Sequence, residues 1–190
     1  SEQKLERRVR RAAAARGFDE AVTWSFLSEA QAAPFGGGAW TLANPISEDL
    51  KVMRPSLLPG LLSATKRNVD RSATSIRLFE LGRRYFKQGE RATVGFVLAG
   101  EKTPRGWQDG KAQPFDAFDA KGEVIALLAA AGAPVEGWPN SMCRMERPAA
   151  LRAWASRLMA MAWNGSIWAI MPGAYSVRAT MSMAATFCLA

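Results

Sequence analysis

Histidine is absent from this chain of 190 residues, and only two cysteines, Cys143 and Cys188, are present. Without imidazole the chain cannot form the Ser-His or Cys-His pairs that activate a nucleophile, and two thiols are too few for the Cys/His ligand sets of structural zinc. Acid, base or metal chemistry would have to use carboxylates or lysine. Two cysteines far apart in the sequence also suit a reducing compartment, where they stay as free thiols.

Long uninterrupted apolar runs are missing as well. The most apolar stretch, Leu158 to Ala174, is broken by Asn164, Gly165 and Pro172. It is also shorter than the roughly 20 residues that a membrane-spanning helix needs. The first residues lack the basic, apolar and small-residue succession of a secretory signal. We therefore predict no membrane segment and a cytoplasmic location.

Acidic residues are in deficit. The chain has 25 Lys and Arg against 17 Asp and Glu, which gives a formal charge of +8 and a pI near 10.1. Such a charge attracts polyanions through non-specific electrostatics, so it permits RNA binding without demonstrating it. The alternative is a basic protein whose cations are simply solvated.

Hydrophobic periodicity predicts four helices and several short strands within the first 136 residues. Gly17 and Gly132 follow two of the helical patterns in the manner of C-terminal caps. Strands that cluster between helices, without a regular βαβ alternation, favour an α+β domain on a mainly antiparallel sheet. We predict helices from Leu5 to about Gly17, Ser28–Ala33, Ser56 to about Arg71 and Phe115–Ala131, and strands at Glu20–Phe26, Trp40–Ala43, Ile76–Leu81, Arg84–Lys87 and Ala92–Ala99.

The composition changes abruptly beyond about Gly137. No Lys or Asp remains, Glu146 is the last acidic residue, and both cysteines and seven of the eight methionines lie there. We interpret residues 1–136 as a core module and 137–190 as a divergent or out-of-frame tail. The alternatives are a divergent domain end, and a Trp/Arg-rich peptide that binds at an interface.

Three blocks of sequence carry a family resemblance through their order and spacing. The first is RAAAARGFDEAVTWSF at 11–26, the second is LANPISEDLKVMRPSLLPGLL at 42–62, and the third is LFELGRRYF at 78–86, with FDAFDAKG at 115–122 as a later helix entry. Arg67, Asn68 and Arg71 follow the second block. Together the blocks resemble the core of the beta subunit of bacterial-type phenylalanyl-tRNA synthetase, over about residues 5 to 136.

The resemblance implies a fold and a setting. The fold is an incomplete class II aminoacyl-tRNA synthetase-like antiparallel sheet flanked by helices, in a subunit that performs no aminoacylation itself. The implied partners are the alpha subunit, with which it forms a heterotetramer, and tRNA in the intact enzyme. ATP and magnesium are the cofactors implied for the intact complex. No cofactor is implied for this piece alone. The family's editing, N-terminal tRNA-binding and anticodon-binding regions are expected to lie outside this sequence.

One position bears directly on catalysis. Class II active sites carry an arginine just after the fEiGxxf strand, where its planar cation clamps the ATP phosphate. The residue four positions after Gly82 is Phe86, and a phenyl ring cannot bind phosphate in that way. Arg83, Arg84 and Lys87 are the neighbouring cations that would have to compensate. The Gly-rich third class II motif has no convincing copy, so we predict no catalytic, cofactor-binding or metal-binding residue here.

Four residues are candidate contacts with a partner or with tRNA: Arg54, Ser56, Asn68 and Arg71. Each also has a structural explanation, as turn or capping residues for the first two and as polar residues near a helix C-terminus for the others. The cations from Arg7 to Arg11 have the same two interpretations, tRNA contact or exposed helix face. Asp116 and Asp119 are predicted to be first-turn helix residues rather than a catalytic carboxylate pair.

The function predicted from the sequence is therefore a non-catalytic assembly module that supports charging of tRNA with phenylalanine by the alpha subunit. Two alternatives remain. A free-standing RNA-binding domain would bind RNA with a steep salt dependence. An ATP-dependent ligase paralogue would release pyrophosphate from ATP in the presence of an amino acid.

Overall fold

The computed structural model describes residues 2–108 and 110–133, and the backbone of the segments 159–163, 166–172 and 181–188. Cys143 and Glu146, on which part of the tail interpretation depends, lie outside these residues. Two short 3₁₀ turns occur at Ala33–Phe35 and Glu48–Leu50. The helices are α1 Glu2–Ala15, α2 Glu29–Ala32, α3 Leu58–Val69 and α4 Ala117–Ala131; the strands are β1 Asp19–Glu20, β2 Phe26–Leu27, β3 Val52–Met53, β4 Ser75–Phe86, β5 Gly89–Thr103, β6 Gln113–Pro114, β7 Met159–Trp163, β8 Ser166–Pro172 and β9 Met181–Cys188.

One sheet of seven strands organises the molecule. Its order is β1-β4-β5-β9-β8-β7, with β6 pairing with β5 beside this path. Among the described strands of this sheet, β1 and β4 run parallel and the other pairs are antiparallel. β2 and β3 form a separate two-stranded antiparallel sheet. The predicted α+β class with a mainly antiparallel sheet is confirmed.

The long β4–β5 hairpin has two different faces because successive side chains alternate across a strand. We call the side packed against α1 and α4 the α1–α4 face, and the side packed against α3 the α3 face. Val9, Ala13, Leu127 and the β5 residue Phe96 meet on the α1–α4 face. On the α3 face the buried residues of the core are Leu57, Leu58, Leu61, Leu62, Ile76, Val97 and Ala99.

The predicted helices at both ends of the core module are confirmed, with their caps. Gly17 adopts a φ of 79° after α1, and the Phe18 N–H donates to the Ala13 carbonyl at 3.2 Å. Gly132, with a φ of 83°, closes α4 in the same left-handed conformation. Asp116 caps α4 through a capping box in which Asp116 and Asp119 each accept the other's backbone N–H, at 2.8 and 2.9 Å.

Two predicted strands are wrong. Glu20–Phe26 is not one strand: β1 ends at Glu20, the chain leaves the ladder, and β2 begins at Phe26. Polar contacts of Thr23 with Glu80 of β4 replace the strand pairing that the β-branched and aromatic residues of this segment suggested. Trp40–Ala43 contributes a single bridge, between Thr41 and Val52. In both segments the propensity for strand is overridden by tertiary contacts.

The two predicted strands around Gly82 are one continuous strand, β4, because Gly82 pairs with Thr93 without any shift of register. β5 is longer than the predicted Ala92–Ala99 and extends to Thr103. β5 begins at Gly89, directly after the hairpin turn, and Gly89 pairs with Phe86 at the end of β4. A long antiparallel ladder thus tolerates a glycine that local propensity treats as a break.

Three strands that the sequence patterns did not predict lie in the segments 159–163, 166–172 and 181–188. β9 pairs antiparallel with β5 from Ser182 to Cys188, and β8 and β7 follow outward. These strands extend the sheet that the core module begins. The proposed division at residue 136 and the frame interpretation of the tail stay predictions.

Candidate functional site

The α3 face of β4 changes character along its length. Ile76 and Leu78 belong to the apolar core under α3, whereas the next residues on that face are Glu80, Gly82, Arg84 and Phe86. Across the ladder, Glu80 pairs with Gly95 and Gly82 pairs with Thr93, so small residues line the opposing strand. A polar patch therefore occupies the end of the face nearest the hairpin turn. We call these four β4 residues, with Arg54 and Thr23, the polar patch.

A buried ion pair stands at the centre of the polar patch. Arg54 is 4% exposed and Glu80 is 2% exposed. Arg54 Nη1 donates to Glu80 Oε1 at 2.6 Å and to Thr23 Oγ1 at 3.0 Å. The Thr23 hydroxyl donates in turn to Glu80 Oε2 at 2.7 Å. Two buried charges are tolerated here because each hydrogen-bonds to the other and to a third polar group.

Backbone contacts complete the network around Arg54. Its Nε donates to the Arg83 carbonyl at 2.8 Å, and its own carbonyl accepts from the Tyr85 N–H at 3.0 Å. Its N–H donates to the Ser25 carbonyl at 2.9 Å. The guanidinium thus joins the turn before α3, the segment after β1 and the middle of β4. This geometry supports the structural explanation of Arg54, since its donors face the interior of the chain.

Gly82 is required at its position by a close approach. A Cβ atom there would lie 2.3 Å from Arg54 Nη2 and 3.2 Å from Leu57 Cδ2. Gly60 of α3 is required for the same reason, since a Cβ atom there would lie 2.2 Å from Thr23 Oγ1. Both glycines therefore keep space for the ion pair and its hydroxyl.

Phe86 lies at the last position of β4, on the same face as Arg84. The guanidinium carbon of Arg84 sits 4.8 Å from the centre of the Phe86 ring, in cation–π contact. Arg84 Nε donates to Thr93 Oγ1 at 3.0 Å. Arg83 is on the opposite face and forms ion pairs with Glu2 and Glu90. Of the three neighbouring cations, Arg84 is the one that shares a face with Phe86, and its contacts are internal.

Ser56 and the start of α3 differ slightly from the prediction. The helix begins at Leu58, and its cap residue is Leu57, which has no capping side chain. Ser56, 1% exposed, still satisfies one free donor because its Oγ accepts from the Leu58 N–H at 3.2 Å. The buried hydroxyl lies inside the protein, as the turn explanation predicts.

Asn68 and Arg71 lie at the other end of α3, about 18 Å from its start for a helix of this length. Both are exposed. The Asn68 side-chain amide donates to the Ala64 carbonyl at 2.9 Å. The backbone carbonyl of Asn68 accepts from the Arg71 N–H at 3.1 Å. The four residues singled out from the sequence therefore form two separate pairs, and contact with a partner or tRNA stays a prediction for each.

Asp119 is a first-turn residue of α4, as predicted, whereas Asp116 is the N-cap immediately before the helix. Lys102 also forms an ion pair with Asp119. Partial burial acts to raise the pKa of Asp119, but the hydrogen bonds from Lys102 and from the Asp116 backbone N–H outweigh it and hold that pKa below its ordinary value. The same hydrogen bond raises the pKa of Lys102. An ionised, paired carboxylate suits a helix N-terminus and is a poor general acid.

Thr23 and Glu80 are the residues of this region that sequence reasoning missed. The signal for Glu80 was present: the one carboxylate of β4 lies between the apolar residues Phe79 and Leu81, and a carboxylate buried among apolar residues needs a partner. Thr23 had no such signal, because its segment was assigned to a strand. Within the part of the chain that the structure describes, no three Cys, Asp or Glu side chains are grouped as metal ligands. No helix among the described residues is long and apolar enough to cross a membrane.

Comparisons with known proteins identify the family to which the chain belongs. Residues 1–155 match the family described as the phenylalanyl tRNA synthetase beta chain CLM domain. The beta subunit of phenylalanine–tRNA ligase from Novosphingobium aromaticivorans is 68% identical over 141 residues, which cover 70% of this chain and 18% of that protein. The subunit from Zymomonas mobilis is 65% identical over 134 residues, covering 70% of this chain and 17% of that protein.

A solved structure extends the comparison of folds. A pyrrolysyl-tRNA synthetase from Desulfitobacterium hafniense superposes with a TM-score of 0.58 at 16% identity, covering 100% of this chain and 66% of that one. At this identity the likeness concerns the fold alone. The chain spans about a fifth of the length of the curated relatives that it matches. Its match across most of its length and its high identity to two beta subunits show that it belongs to the family of phenylalanyl-tRNA synthetase beta chain CLM domains.

Proposed function

We propose that this chain acts as a non-catalytic assembly module of a phenylalanine–tRNA ligase beta subunit. In the intact enzyme it would pack against the alpha subunit and support the charging of tRNA with phenylalanine. The reaction itself would take place on the alpha subunit, in the cytoplasm. ATP and magnesium would serve the intact complex.

The observation that carries the proposal is the occupant of the phosphate-binding position. Phe86 stands where the class II signature carries its arginine, and the ring is stacked under Arg84. The other cation of the polar patch, Arg54, is neutralised by Glu80 inside the protein. The residues present do not fit an ATP phosphate, because the guanidinium groups on this face are directed at internal partners.

Exposed apolar side chains support an assembly role. Val22 is 91% exposed and Trp24 is 73% exposed, although both follow β1 at the edge of the sheet. Thr23 between them points inward to Glu80, which holds its two neighbours outward. Large apolar side chains held in solvent at a sheet edge are typical of protein interfaces.

Pyrophosphate exchange tests the absence of chemistry. The 190-residue chain is incubated with ATP, magnesium and each amino acid in turn, and exchange of labelled pyrophosphate into ATP is measured. We expect no exchange above a protein-free blank. Exchange that is abolished by the Arg84→Gln substitution would refute the proposal, because it would show a compensating cation that grips phosphate.

Assembly is tested with the alpha subunit. Alone, the chain is expected to bind it weakly, since most of the beta subunit is missing; tight stoichiometric binding by light scattering would contradict this. Grafted into the full-length Novosphingobium aromaticivorans beta subunit in place of the matching segment, the chain is expected to restore the complex. Trp24→Glu in that graft should weaken assembly, whereas Trp107→Glu, at a tryptophan of another loop that is 92% exposed, should not.

A further inference from the structure

The cationic side chains of α1 and of the residue that follows it fall into two groups: those that pair with a carboxylate and those that do not. Arg10 bonds to Glu20 through Nε, at 2.7 Å to Oε1. Arg16, just beyond the helix, pairs with Glu123. The other cations recur at i, i+3, i+4 and i+7, a spacing that places them on one face of a helix. We call this set the basic stripe: Lys4, Arg7, Arg8 and Arg11.

The basic stripe lies opposite the side of α1 that meets the core. Val9 and Ala13 are buried against the α1–α4 face, and Glu6 falls on their side of the helix. The four cations line a surface concavity of about 360 Å³. Among the described residues none of the four is ion-paired with a carboxylate. The stripe is therefore an uncompensated row of positive charge.

Helix stability does not explain this row. Like charges three or four residues apart repel, and the stripe contains four such pairs. Lys4 also lies in the first turn, where the helix dipole favours anions. Arg8 has a partial structural role, since its guanidinium donates to the Ala131 carbonyl at the C-terminal end of α4. Arg7 Nε donates to the Gln3 carbonyl at 3.3 Å, a contact within α1 that joins the helix to no other element. Among the described residues, the side chains of Lys4 and Arg11 make no hydrogen bond or ion pair.

We propose that the basic stripe binds the phosphate backbone of RNA. From Lys4 to Arg11 it runs about 10 Å along the helix, long enough to meet successive phosphates of a strand and too long for a single one. Arginine presents a planar fork that bonds phosphate oxygens in pairs, and three of the four cations are arginines. The stripe lies on the opposite side of the sheet from Phe86, so it is separate from the nucleotide position discussed above.

This binding surface does not depend on the proposed function. It concerns α1, on the opposite side of the sheet from the polar patch, and it would contact the RNA backbone without reading sequence. A failure of assembly in the graft would leave RNA binding by the stripe in place. A failure of RNA binding would leave the assembly role intact.

The test measures the salt dependence of RNA affinity. The 190-residue chain is titrated against a fluorescent 20-base-pair RNA duplex of mixed sequence at several salt concentrations. Each phosphate contact contributes roughly one unit to the slope of log K against log salt. The triple variant Lys4→Gln, Arg7→Gln, Arg11→Gln should flatten the slope by about two to three units and lose at least about tenfold in affinity at 0.1 M salt. The matched control Arg67→Gln, Lys87→Gln, Lys111→Gln removes the same charge from exposed positions elsewhere and should change both much less.

Three further arms decide the outcome. Arg7→Lys with Arg11→Lys keeps the charge and should keep most of the slope. Equal weakening by the triple variant and its control would overturn the proposal, because net charge alone would then explain binding. Displacement of the RNA by polyglutamate at equal charge would also overturn it, in favour of an acidic protein partner. If circular dichroism shows a loss of helix in the triple variant, the single variants Arg7→Gln and Arg11→Gln carry the test, at about one slope unit each.

Discussion

The two faces of the β4–β5 hairpin are built on different principles. On the α1–α4 face, Phe79, Phe96 and Leu98 pack against two helices, and burial of apolar area dominates. On the α3 face, apolar packing stops at Leu78 and directional contacts of Arg54 with Glu80 take over. Apolar packing tolerates changes of shape, whereas a buried ion pair holds its segments in one register. The comparison indicates that the polar patch holds the segment after β1 and the turn before α3 in place on β4.

Removing one partner of the buried pair is the strongest way to break this comparison. Arg54→Ala leaves Glu80 buried without its counter-charge and should cost about 3 to 5 kcal/mol of unfolding free energy in urea denaturation. Arg54→Met combined with Glu80→Leu should lose much less, because no uncompensated charge remains. Arg10→Ala, which breaks an exposed pair with Glu20, should cost less than about 1 kcal/mol. A double variant as unstable as the single one would show that the pair itself supplies the stability.

Glycine substitutions sharpen the difference between the faces. Gly82→Ala places a Cβ against Arg54 and Leu57 and should destabilise by about 1 to 3 kcal/mol. Gly122→Ala in α4, where nothing lies within 4 Å, should instead stabilise by about 0.5 to 1 kcal/mol through helix propensity. Thermal unfolding of both variants measures the contrast. A Gly82→Ala protein as stable as wild type would mean that the Arg54 side chain has room to move.

The smallest effect concerns acid stability on the α1–α4 side. Asp119 has a pKa below its ordinary value of 3.8 in the folded chain, so its ionised form stabilises the fold above that pH. This contribution should disappear as the pH falls below 3.8 and through the folded-state pKa. Asp119→Asn should cost less than about 1 kcal/mol at pH 7 and nothing in strong acid.

The matched control for that prediction is Asp70→Asn, which removes an exposed i,i+4 pair with Lys66. It should change stability by less than about 0.5 kcal/mol at neutral pH. Urea denaturation of the three proteins across pH 2 to 7 checks both expectations. An Asp119→Asn deficit that persists undiminished at the lowest pH would contradict the assignment to the ionised carboxylate.

Much of the core module follows from local pattern. The amphipathic period of α1, the capping box at Asp116 and the glycine at 132 each depend on contacts within a few residues, so they were predictable. The failures have a common cause. The segments at 20–26 and 40–43 have strand propensity, but where they pair depends on distant partners, and propensity carries no information about those.

For the candidate site, the sequence by itself determined the family blocks, the aromatic residue at position 86 and the absence of histidine chemistry, since these depend on residue identity and order. Only the tertiary structure decided that Arg54 turns inward to Glu80 and Thr23. It also decided which cations of α1 find carboxylates and which form the basic stripe. The reason is that the Arg54–Glu80 and Arg10–Glu20 pairs join residues 26 and 10 positions apart, which only the packing of the sheet and helices brings within bonding distance.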